Sequence, residues 1–411
     1  MLATQEQTEI EIKHPININS KVFGANKYAH YKWLREEAPV YKGKLSLLNA
    51  YFVSRYEDCQ FVLKDPRFVR NRSTATGGRR VPIPMPKSVM PLVESMIIED
   101  DPGHRRLRNL VHKAFTPRAI AQLGERIETL THELLDKAEP QGEVDLQKAY
   151  SLPIPVTVIS EMVGVPDDEM SKFATGMKVL SDGLSGWSFF RTMFWDLPKL
   201  GNYARELIAR KRAEPQDDIL SALITAEDEG EKLTEDELVS MVFLLVIAGY
   251  ETTVHLINNC VVTLLQYPQE LARLRAEPAL MESAIEEVLR FNGPIQGTKP
   301  HYTIEDVVLH GETIPKGAMV MPLLGAANHD PAVFENPERF DIGRSPNRHM
   351  GFGQGIHYCL GAPLARLETK IALTNLLERN PNLQLAIDPQ DLTVQQIPMW
   401  HRYEQVPVVL G

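Results

Sequence analysis

The sequence predicts a mainly α-helical protein with a smaller β-containing lobe, and two patterns indicate this fold class. Apolar residues recur at helical spacing in several long stretches, at 28–38, 117–135, 152–163, 200–212 and 234–266. Strand-like runs are short, at 44–56, 319–323 and 406–410. Pro and Gly are scattered over the 411 residues, and no linker or repeat interrupts them. We therefore expect one domain over 1–411, with a sheet-bearing lobe near 40–60 and 295–325 plus the C-terminal strands.

The longest helical pattern runs from residue 234 to residue 266 without a proline. Thr234 and Glu237 have the Ser/Thr-x-x-Glu spacing of a capping box, which marks a helix start. About 32 residues at ~1.5 Å rise give a helix of about 48 Å, long enough to cross the protein. Gly249, Thr252 and Thr253 in its middle weaken an α-helix, so they indicate either loose packing or a function.

Composition and termini exclude several classes of function. The formal net charge of −10 argues against a nucleic-acid partner. Three isolated cysteines give no disulfide framework and fit a reducing compartment. The N-terminus lacks the basic and apolar regions of a signal peptide, and the best apolar run, 238–250, is too short to span a bilayer. We expect a cytoplasmic protein without a membrane anchor.

Cys359 lies in a glycine-rich loop directly before a helical pattern. Gly353, Gly355 and Gly361 free the backbone to turn tightly and to approach a flat ligand closely. A thiol ahead of a helix N-terminus meets free N–H groups and the positive end of the macrodipole, and both favour the metal-binding thiolate. A buried structural cysteine is the ordinary alternative. A zinc site with His357 is disfavoured, because no further ligand lies near in sequence.

The loop resembles the haem-binding loop of the cytochrome P450 family of haem-thiolate monooxygenases. Six of its residues have the family's types at the family's spacing: Phe352, Gly353, Gly355, His357, Cys359 and Gly361. The resemblance implies a P450 fold with haem b (iron protoporphyrin IX) between the long helix and this loop. It also implies that Cys359 is the proximal iron ligand, that Phe352 packs near its sulfur, and that Gly353, His357 and Gly361 help to bind the haem.

The middle of the long helix resembles the family's oxygen-activation motif, and it reads Ala248-Gly249-Tyr250-Glu251-Thr252-Thr253. The resemblance implies that small Ala248 and Gly249 leave room beside the haem for dioxygen. Thr252 would donate a hydrogen bond to dioxygen and Glu251 would relay protons through water, so both are candidate catalytic residues. Relatives that use hydrogen peroxide directly with fatty acids lack this acid–alcohol pair. Its presence favours dioxygen and electrons.

His104 and Arg108 are four residues apart and so share one helix face. A solvated basic helix is the ordinary alternative, but the resemblance implies that both residues bind the haem propionates. The planar guanidinium of arginine suits a carboxylate. Many bacterial members have another propionate-binding arginine where this chain has His301. Histidine donates one weaker, pH-sensitive bond there, and Lys299 is an alternative partner.

Arg105, Arg106 and Lys113 make a local basic patch on an acidic chain. The resemblance places this helix on the proximal face, where an acidic electron donor docks. Solvated surface charge is the ordinary alternative. The sequence contains no FAD, NAD or iron–sulfur motif, so we expect electrons from a separate ferredoxin or flavodoxin with its reductase.

Glu287 and Arg290 have the i, i+3 spacing of a helix-surface ion pair. The resemblance implies instead a buried structural pair, with Arg339 as its third member. A buried pair of this kind fixes a geometry more than it adds stability.

The expected substrate pocket is apolar, and the resemblance supplies its positions. An aromatic stretch at 180–197 corresponds to the family's lid over the pocket. The candidate pocket residues are Met85, Met90, Leu244, Ile247, Ala248, Ile295 and Ile397.

The resemblance implies a monooxygenase that hydroxylates or epoxidises an apolar small molecule, such as a polyketide or macrolide, terpene, steroid or fatty acid. Two alternatives remain open: a non-catalytic haem-thiolate binding or sensing protein, and oxidative coupling or cyclisation. The intact pair of Glu251 and Thr252 favours catalysis over sensing.

Overall fold

The computed structural model describes residues 12–78, 95–166, 168–169, 195–228 and 230–411. Its first half contains α1 (Lys21–Ala25), α2 (Lys27–Glu37), β1 (Val40–Leu45), β2 (Leu48–Val53), α3 (Tyr56–Lys64), β3 (Phe68–Val69), α4 (Arg72–Thr76), α5 (Gly103–Ala114), α6 (Pro117–Ala138), β4 (Glu143–Asp145), α7 (Pro153–Val163), α8 (Leu197–Ala213), α9 (Ile219–Thr225) and β5 (Glu227–Asp228).

The second half is organised around one long helix. It contains β6 (Glu231–Lys232), α10 (Glu235–Gln266), α11 (Pro268–Ala276), α12 (Met281–Phe291), β7 (His301–Thr303), β8 (Val307–Leu309), β9 (Glu312–Ile314), β10 (Met319–Pro322), α13 (Leu324–Ala327), α14 (Ala362–Arg379), β11 (Gln384–Leu385) and β12 (Pro407–Val409). The predicted helical stretches are confirmed as α2, α6, α7, α8 and α10.

A five-stranded mixed sheet forms the core of the smaller lobe, in the order β1-β2-β10-β7-β3. β1 and β2 form an antiparallel hairpin, and β10 lies parallel to β2. β7 then pairs antiparallel with both β10 and β3. The sheet-forming segments near 40–60 and 295–325 are therefore confirmed, and β3 adds an edge strand that the sequence patterns did not indicate.

The C-terminal strand β12 is confirmed as a strand, but it lies outside the five-stranded sheet. It pairs with β11 and β4 in a separate three-stranded sheet. Since β4 has only three residues between α6 and α7, it carries no strand pattern that would have shown this pairing in advance.

α10 spans 32 residues and begins with the predicted capping box. The Thr234 side chain accepts from the backbone N–H of Glu237, and the Glu237 carboxylate accepts from the backbone N–H of Thr234. α10 packs against α7, α8, α12 and α14 in the largest apolar cluster. By length and composition alone α10 could cross a membrane. However, 67% of its most apolar 18-residue stretch is buried inside the protein, as in a core helix.

Candidate active site

The cysteine loop is held in a tight turn ahead of α14. The backbone N–H of Cys359 donates to the carbonyl of Phe352 at 2.9 Å. Gly355 has a φ of +73°, and a Cβ there would lie 2.2 Å from the carbonyl oxygen of Leu63 in α3. Gly361 has an ordinary φ of −81°, so the expected need for special backbone freedom is wrong at this position. A Cβ on Gly361 would meet no described protein atom within 4 Å, which leaves space beside the cysteine.

Cys359 differs from the other two cysteines in its accessibility. Cys59 and Cys260 are buried, whereas Cys359 is partly accessible. Burial raises the pKa of the Cys359 thiol, although backbone N–H groups of Gly361 and Ala362 oppose this shift by hydrogen bonding to the sulfur. The helix start therefore favours the thiolate without securing it, and a metal ion bound to the sulfur would supply the remaining stabilisation.

A charged clamp behind the loop fixes the ring of Phe352. The Arg366 guanidinium lies over that ring at 4.4 Å from its centroid and binds both carboxylate oxygens of Glu286, at 2.6 and 2.8 Å. His349 binds the same carboxylate at 2.8 Å. Burial alone would raise the pKa of Glu286, but the hydrogen bonds from Arg366 and His349 lower it to about 2. No spacing in the sequence indicated this clamp, because its members are far apart along the chain.

The predicted propionate residues of α5 lie beside the cysteine loop. His104 is buried, and its ring centroid lies 4.3 Å from that of His357. Arg108 donates to the carbonyl of Ile356 at 3.0 Å. Burial lowers the pKa of His104 to about 4 and that of His357 to about 2, so both rings are neutral at pH 7. The structure thus brings together residues that are about 250 positions apart in sequence.

Three buried nitrogen atoms close to these rings have no hydrogen-bond partner among the described residues. They are His357 Nε2, His301 Nδ1 and Arg70 Nε. Burial also lowers the pKa of His301 well below its usual range. Unpaired buried polar groups of this kind are costly unless a ligand satisfies them. A group that carries carboxylates, such as haem with its two propionates, fits this set of donors.

The Lys299 side chain has an exposed surface, yet protein atoms surround its ammonium group. This desolvation lowers the pKa of Lys299, and the charge of Arg70 lowers it further. The two observations together indicate a side chain that lines an enclosed space. No group of three or more His, Cys, Asp or Glu residues in the described part of the chain has the arrangement of a metal site, so zinc finds no support.

The middle of α10 opens onto free space. Ile247 is 39% exposed and Ala248 is also exposed, although Leu245, Val246 and Tyr250 around them are buried. Thr252 Oγ1 donates to the carbonyl of Ala248 at 2.7 Å. Exposed apolar residues at the centre of a core helix are expected where a cofactor and a substrate lie.

Glu251 forms an ion pair with Arg402, and both side chains are largely buried. Arg402 in turn lies over the ring of Trp400 at 5.3 Å. Sequence reasoning missed Arg402, since nothing in the C-terminal segment marks it as a partner of α10. The acid of the predicted catalytic pair is therefore held by a cation 151 residues away.

The predicted pocket residues are only partly described. Ile295 forms a β-bridge with Trp400, which brings it near the turn that carries Ile397, and both isoleucines are half-buried. Leu244 packs against the large apolar cluster. Met85, Met90 and most of the aromatic stretch at 180–197 lie outside the described residues.

The expected structural triad is correct in its pair and wrong in its third member. Arg290 binds both oxygens of Glu287 at 2.8 Å, with both side chains fully buried. The Arg339 side chain is 67% exposed, and only its carbonyl accepts from Arg290. The third member is Arg344, whose Nε donates to both carboxylate oxygens of Glu287 at 3.1 Å.

The three predicted docking cations have different surroundings. Arg105 is 73% exposed and pairs with Asp101 at 2.6 Å. Arg106 forms an ion pair with Glu237 at the start of α10, so it joins two helices and is less available for a partner. Lys113 lies exposed in the last turn of α5.

The comparisons with known proteins agree with this geometry. The family model described as Cytochrome P450 matches residues 10–391. "Polyketide biosynthesis cytochrome P450 PksS" of Bacillus subtilis (strain 168) is 38% identical over 97% of this chain and 98% of its own, and its solved structure superposes with a TM-score of 0.90 over 96% and 100% of the two chains.

One further relative is named for a different activity, and another was solved with a fatty acid bound. "Vitamin D(3) 25-hydroxylase" of Pseudonocardia autotrophica is 39% identical over 95% of this chain and 96% of its own. The structure of myxobacterial cytochrome P450 CYP267B1 in complex with myristic acid is 37% identical, covers 95% and 98% of the two chains and has a TM-score of 0.88.

Proposed function

The chain belongs to the cytochrome P450 family of haem-iron monooxygenases, and from this premise we propose that it inserts one oxygen atom of dioxygen into an apolar small molecule. The observation that carries the proposal is the pairing of two features. A partly accessible cysteine precedes α14, and the middle of α10 presents exposed Ile247 and Ala248 beside the acid–alcohol pair.

The cofactor of this proposal is haem b. Cys359 would ligate its iron, while His104, Arg108, His301 and His357 would face its propionates. Bound haem supplies an iron centre at which dioxygen is reduced, with one oxygen atom passing to the substrate and the other leaving as water. The unpaired nitrogens of His301 and His357 support this assignment, because a carboxylate would satisfy both.

Proton delivery is the proposed role of Glu251 and Thr252. The Thr252 hydroxyl donates to the carbonyl of Ala248, so its lone pairs remain available to accept a proton. Glu251 binds Arg402, and it must share or release that cation before its carboxylate carries a proton towards Thr252. Arg402 therefore controls how available the acid is.

The proposed substrate is apolar, because Ile247, Ile295 and Ile397 contribute apolar surface at or near the site. Relatives named for polyketide biosynthesis and vitamin D hydroxylation, and one solved with myristic acid, support an apolar class rather than one shape. Polyketides or macrolides, steroids, terpenes and fatty acids are the candidates. Electrons would come from a separate ferredoxin or flavodoxin with its reductase.

The test begins with a screen of apolar compounds for the low-to-high-spin shift of the haem. Each compound that shifts the spectrum is then incubated under ¹⁸O₂ with NADPH, a surrogate ferredoxin and ferredoxin reductase. The proposal predicts a product that carries one ¹⁸O atom, with NADPH consumption dependent on the compound. A product that has lost two hydrogens and gained no label would indicate coupling or cyclisation, and binding without any product would indicate a sensor.

A further inference from the structure

We propose that Arg70 provides the guanidinium that binds a haem propionate in this chain, in place of the arginine that is missing at position 301. The inference rests on the proposed function, since it assumes that the chain binds haem. Arg70 lies just after β3, outside every motif that the sequence analysis identified.

The pairing of β3 with β7 places the two residues together. Phe68 lies opposite Thr303 and Val69 opposite Tyr302 in this antiparallel pair. Continuing the register by one residue places Arg70 opposite His301, and directly opposed residues project from the same face of a sheet. The chain has a histidine where the resemblance implies an arginine, and Arg70 follows the adjacent strand β3.

The Arg70 side chain is buried without an adequate partner. It is 8% exposed, and its one hydrogen bond within the described residues runs from Nη1 to the carbonyl of Ile97 at 3.3 Å. Its Nε is unpaired. The carboxylate of Asp100, which acts on the Arg70 charge, instead accepts from the backbone N–H groups of Arg70 and Asn71, at 2.7 and 2.9 Å. A buried cation in this position needs an anion.

The surroundings of Arg70 are short of negative charge. The Arg70 charge contributes to the lowered pKa values of His104, Lys299 and His301, so all three groups lie within its electrostatic reach. Asp100 acts on Arg70 itself, and Asp101 acts on His104. The histidines are neutral, so Arg70 is the cation among them that a ligand carboxylate would balance.

Histidine at position 301 cannot replace the guanidinium. His301 is buried and its pKa is well below the usual range, so at neutral pH it carries no charge and donates at most one hydrogen bond. Burial lowers the pKa of Arg70 only to about 10, so Arg70 stays charged. Arg70 therefore supplies the charge and bidentate geometry, and His301 supplies a single neutral hydrogen bond.

The test compares haem retention in the holoprotein with and without free propionates. Wild type, Arg70→Gln and the control Arg67→Gln are loaded with haem or with haem dimethyl ester, and the rate of transfer to excess apomyoglobin is measured. Arg67 lies three residues away, but it binds Asp65 near the surface. We expect Arg70→Gln to release haem roughly tenfold to hundredfold faster than wild type releases haem, as for the loss of a charged hydrogen bond. The ester should leave Arg70→Gln at nearly the rate at which it leaves wild type.

A second variant separates loss of the contact from loss of the fold. Arg70→Gln combined with His301→Arg returns a guanidinium to the adjacent strand, and we expect it to slow haem release towards the wild-type rate. Unchanged haem release in Arg70→Gln, or faster release of haem and ester alike without rescue by the double variant, would overturn the proposal. A failure of the proposed function differs from a failure of the Arg70 contact. If the chain does not bind haem through a thiolate, wild type itself will lack the thiolate-type spectrum of the reduced carbon monoxide complex.

Discussion

At the scale of single residues, the contact between Glu251 and Arg402 determines how the predicted acid behaves. A carboxylate that relays protons through water must change its hydrogen-bond partners during each turnover. The Arg402 side chain also lies over the ring of Trp400, so a second contact orients the cation that binds Glu251. Arg402 is therefore a positioning residue for Glu251.

We expect Arg402→Gln to lower the yield of oxygenated product per NADPH roughly tenfold and to raise hydrogen peroxide correspondingly. Glu251→Gln should have a similar effect, and the double variant should add little to either one, because both remove the same contact. Product, NADPH and peroxide are measured together in one turnover assay. The role of the ion pair would be contradicted if the losses of product yield in the two single variants added up in the double variant. It would also be contradicted if Arg402→Gln kept the wild-type yield of product per NADPH.

Residues in local motifs could be predicted from the sequence, and residues in long-range contacts could not. His104, Arg108 and Cys359 lie in short patterns whose spacing indicates a shared helix face or a helix start. Arg70, Arg366 and Arg402 act through partners that are far away along the chain. Arginine is common on protein surfaces, so its type alone does not mark a buried role.

At the scale of elements, the segment after α13 is joined to α12 through the carboxylate of Glu287. This group accepts from Arg290, Arg344, Asn347 and the backbone N–H of Asp341. The motif indicated the pair correctly, but the sequence could not show which arginine of the following segment turns inward. Arg339 and Arg344 are five residues apart in the same irregular region, and neither has a periodic pattern around it.

We expect Arg344→Met to lower the free energy of unfolding by ~3 kcal/mol, because it leaves the buried Glu287 carboxylate short of a charged partner. Arg339→Met is the matched control and should change the free energy by less than ~0.5 kcal/mol, since its side chain is exposed. Urea unfolding of the holoprotein measures both. If both variants lowered the free energy of unfolding equally, Arg339 would be as important to the buried pair as Arg344, contrary to this assignment.

The contact between α10 and α14 makes the stability depend on pH. Burial raises the pKa of Glu368 to about 8 despite its hydrogen bond with Thr253. The folded state therefore holds a proton that the unfolded state releases above about pH 4.5, so this group destabilises the protein as the pH rises from about 4.5 to 8. Glu368→Gln removes the titration.

We expect Glu368→Gln to be more stable than wild type at pH 8 by roughly 4 kcal/mol, with the difference shrinking towards pH 4.5. Parallel urea titrations at several pH values measure this difference. A difference that stays constant with pH would mean that Glu368 is ionised in the folded protein.

At the scale of the whole molecule, basic side chains lie on the helices next to both ends of α10. Arg106 of α5 binds Glu237 in the first turn of α10, whereas α11 begins directly after the last turn of α10. Lys113 and Arg105 are exposed basic side chains of α5 on a chain of net charge −10, and Arg105 adjoins the contact at the start of α10. An acidic electron donor would be attracted to that end.

We expect Arg105→Glu to slow reduction by an acidic ferredoxin severalfold at low salt, with the difference vanishing at high salt. Arg275→Glu on α11 is the charge-matched control at the other end of α10 and should leave the rate unchanged. Stopped-flow reduction at two ionic strengths distinguishes the variants. If both substitutions slowed reduction equally, the overall charge of the protein would explain the effect, and the docking role of Arg105 would be contradicted.

The fold class could be predicted because helical periodicity is a local property of long segments. α10 and the helices around it follow such patterns closely, and the capping box marks the start of α10. Strand pairing is non-local, and β3, β4 and β12 are too short for a clear period-two pattern. This explains why the partner of β12 and the cross-strand position of Arg70 emerged only from the structure.

The proposed iron ligand is the Cys359 thiolate, and the spectrum of the reduced carbon monoxide complex reports directly on that ligand. Wild type and the control Cys260→Ala, which alters a buried thiol of α10, should both show the red-shifted Soret band of a thiolate-ligated haem. Cys359→Ala should lose that band. A thiolate-type spectrum that persists in Cys359→Ala would contradict the account.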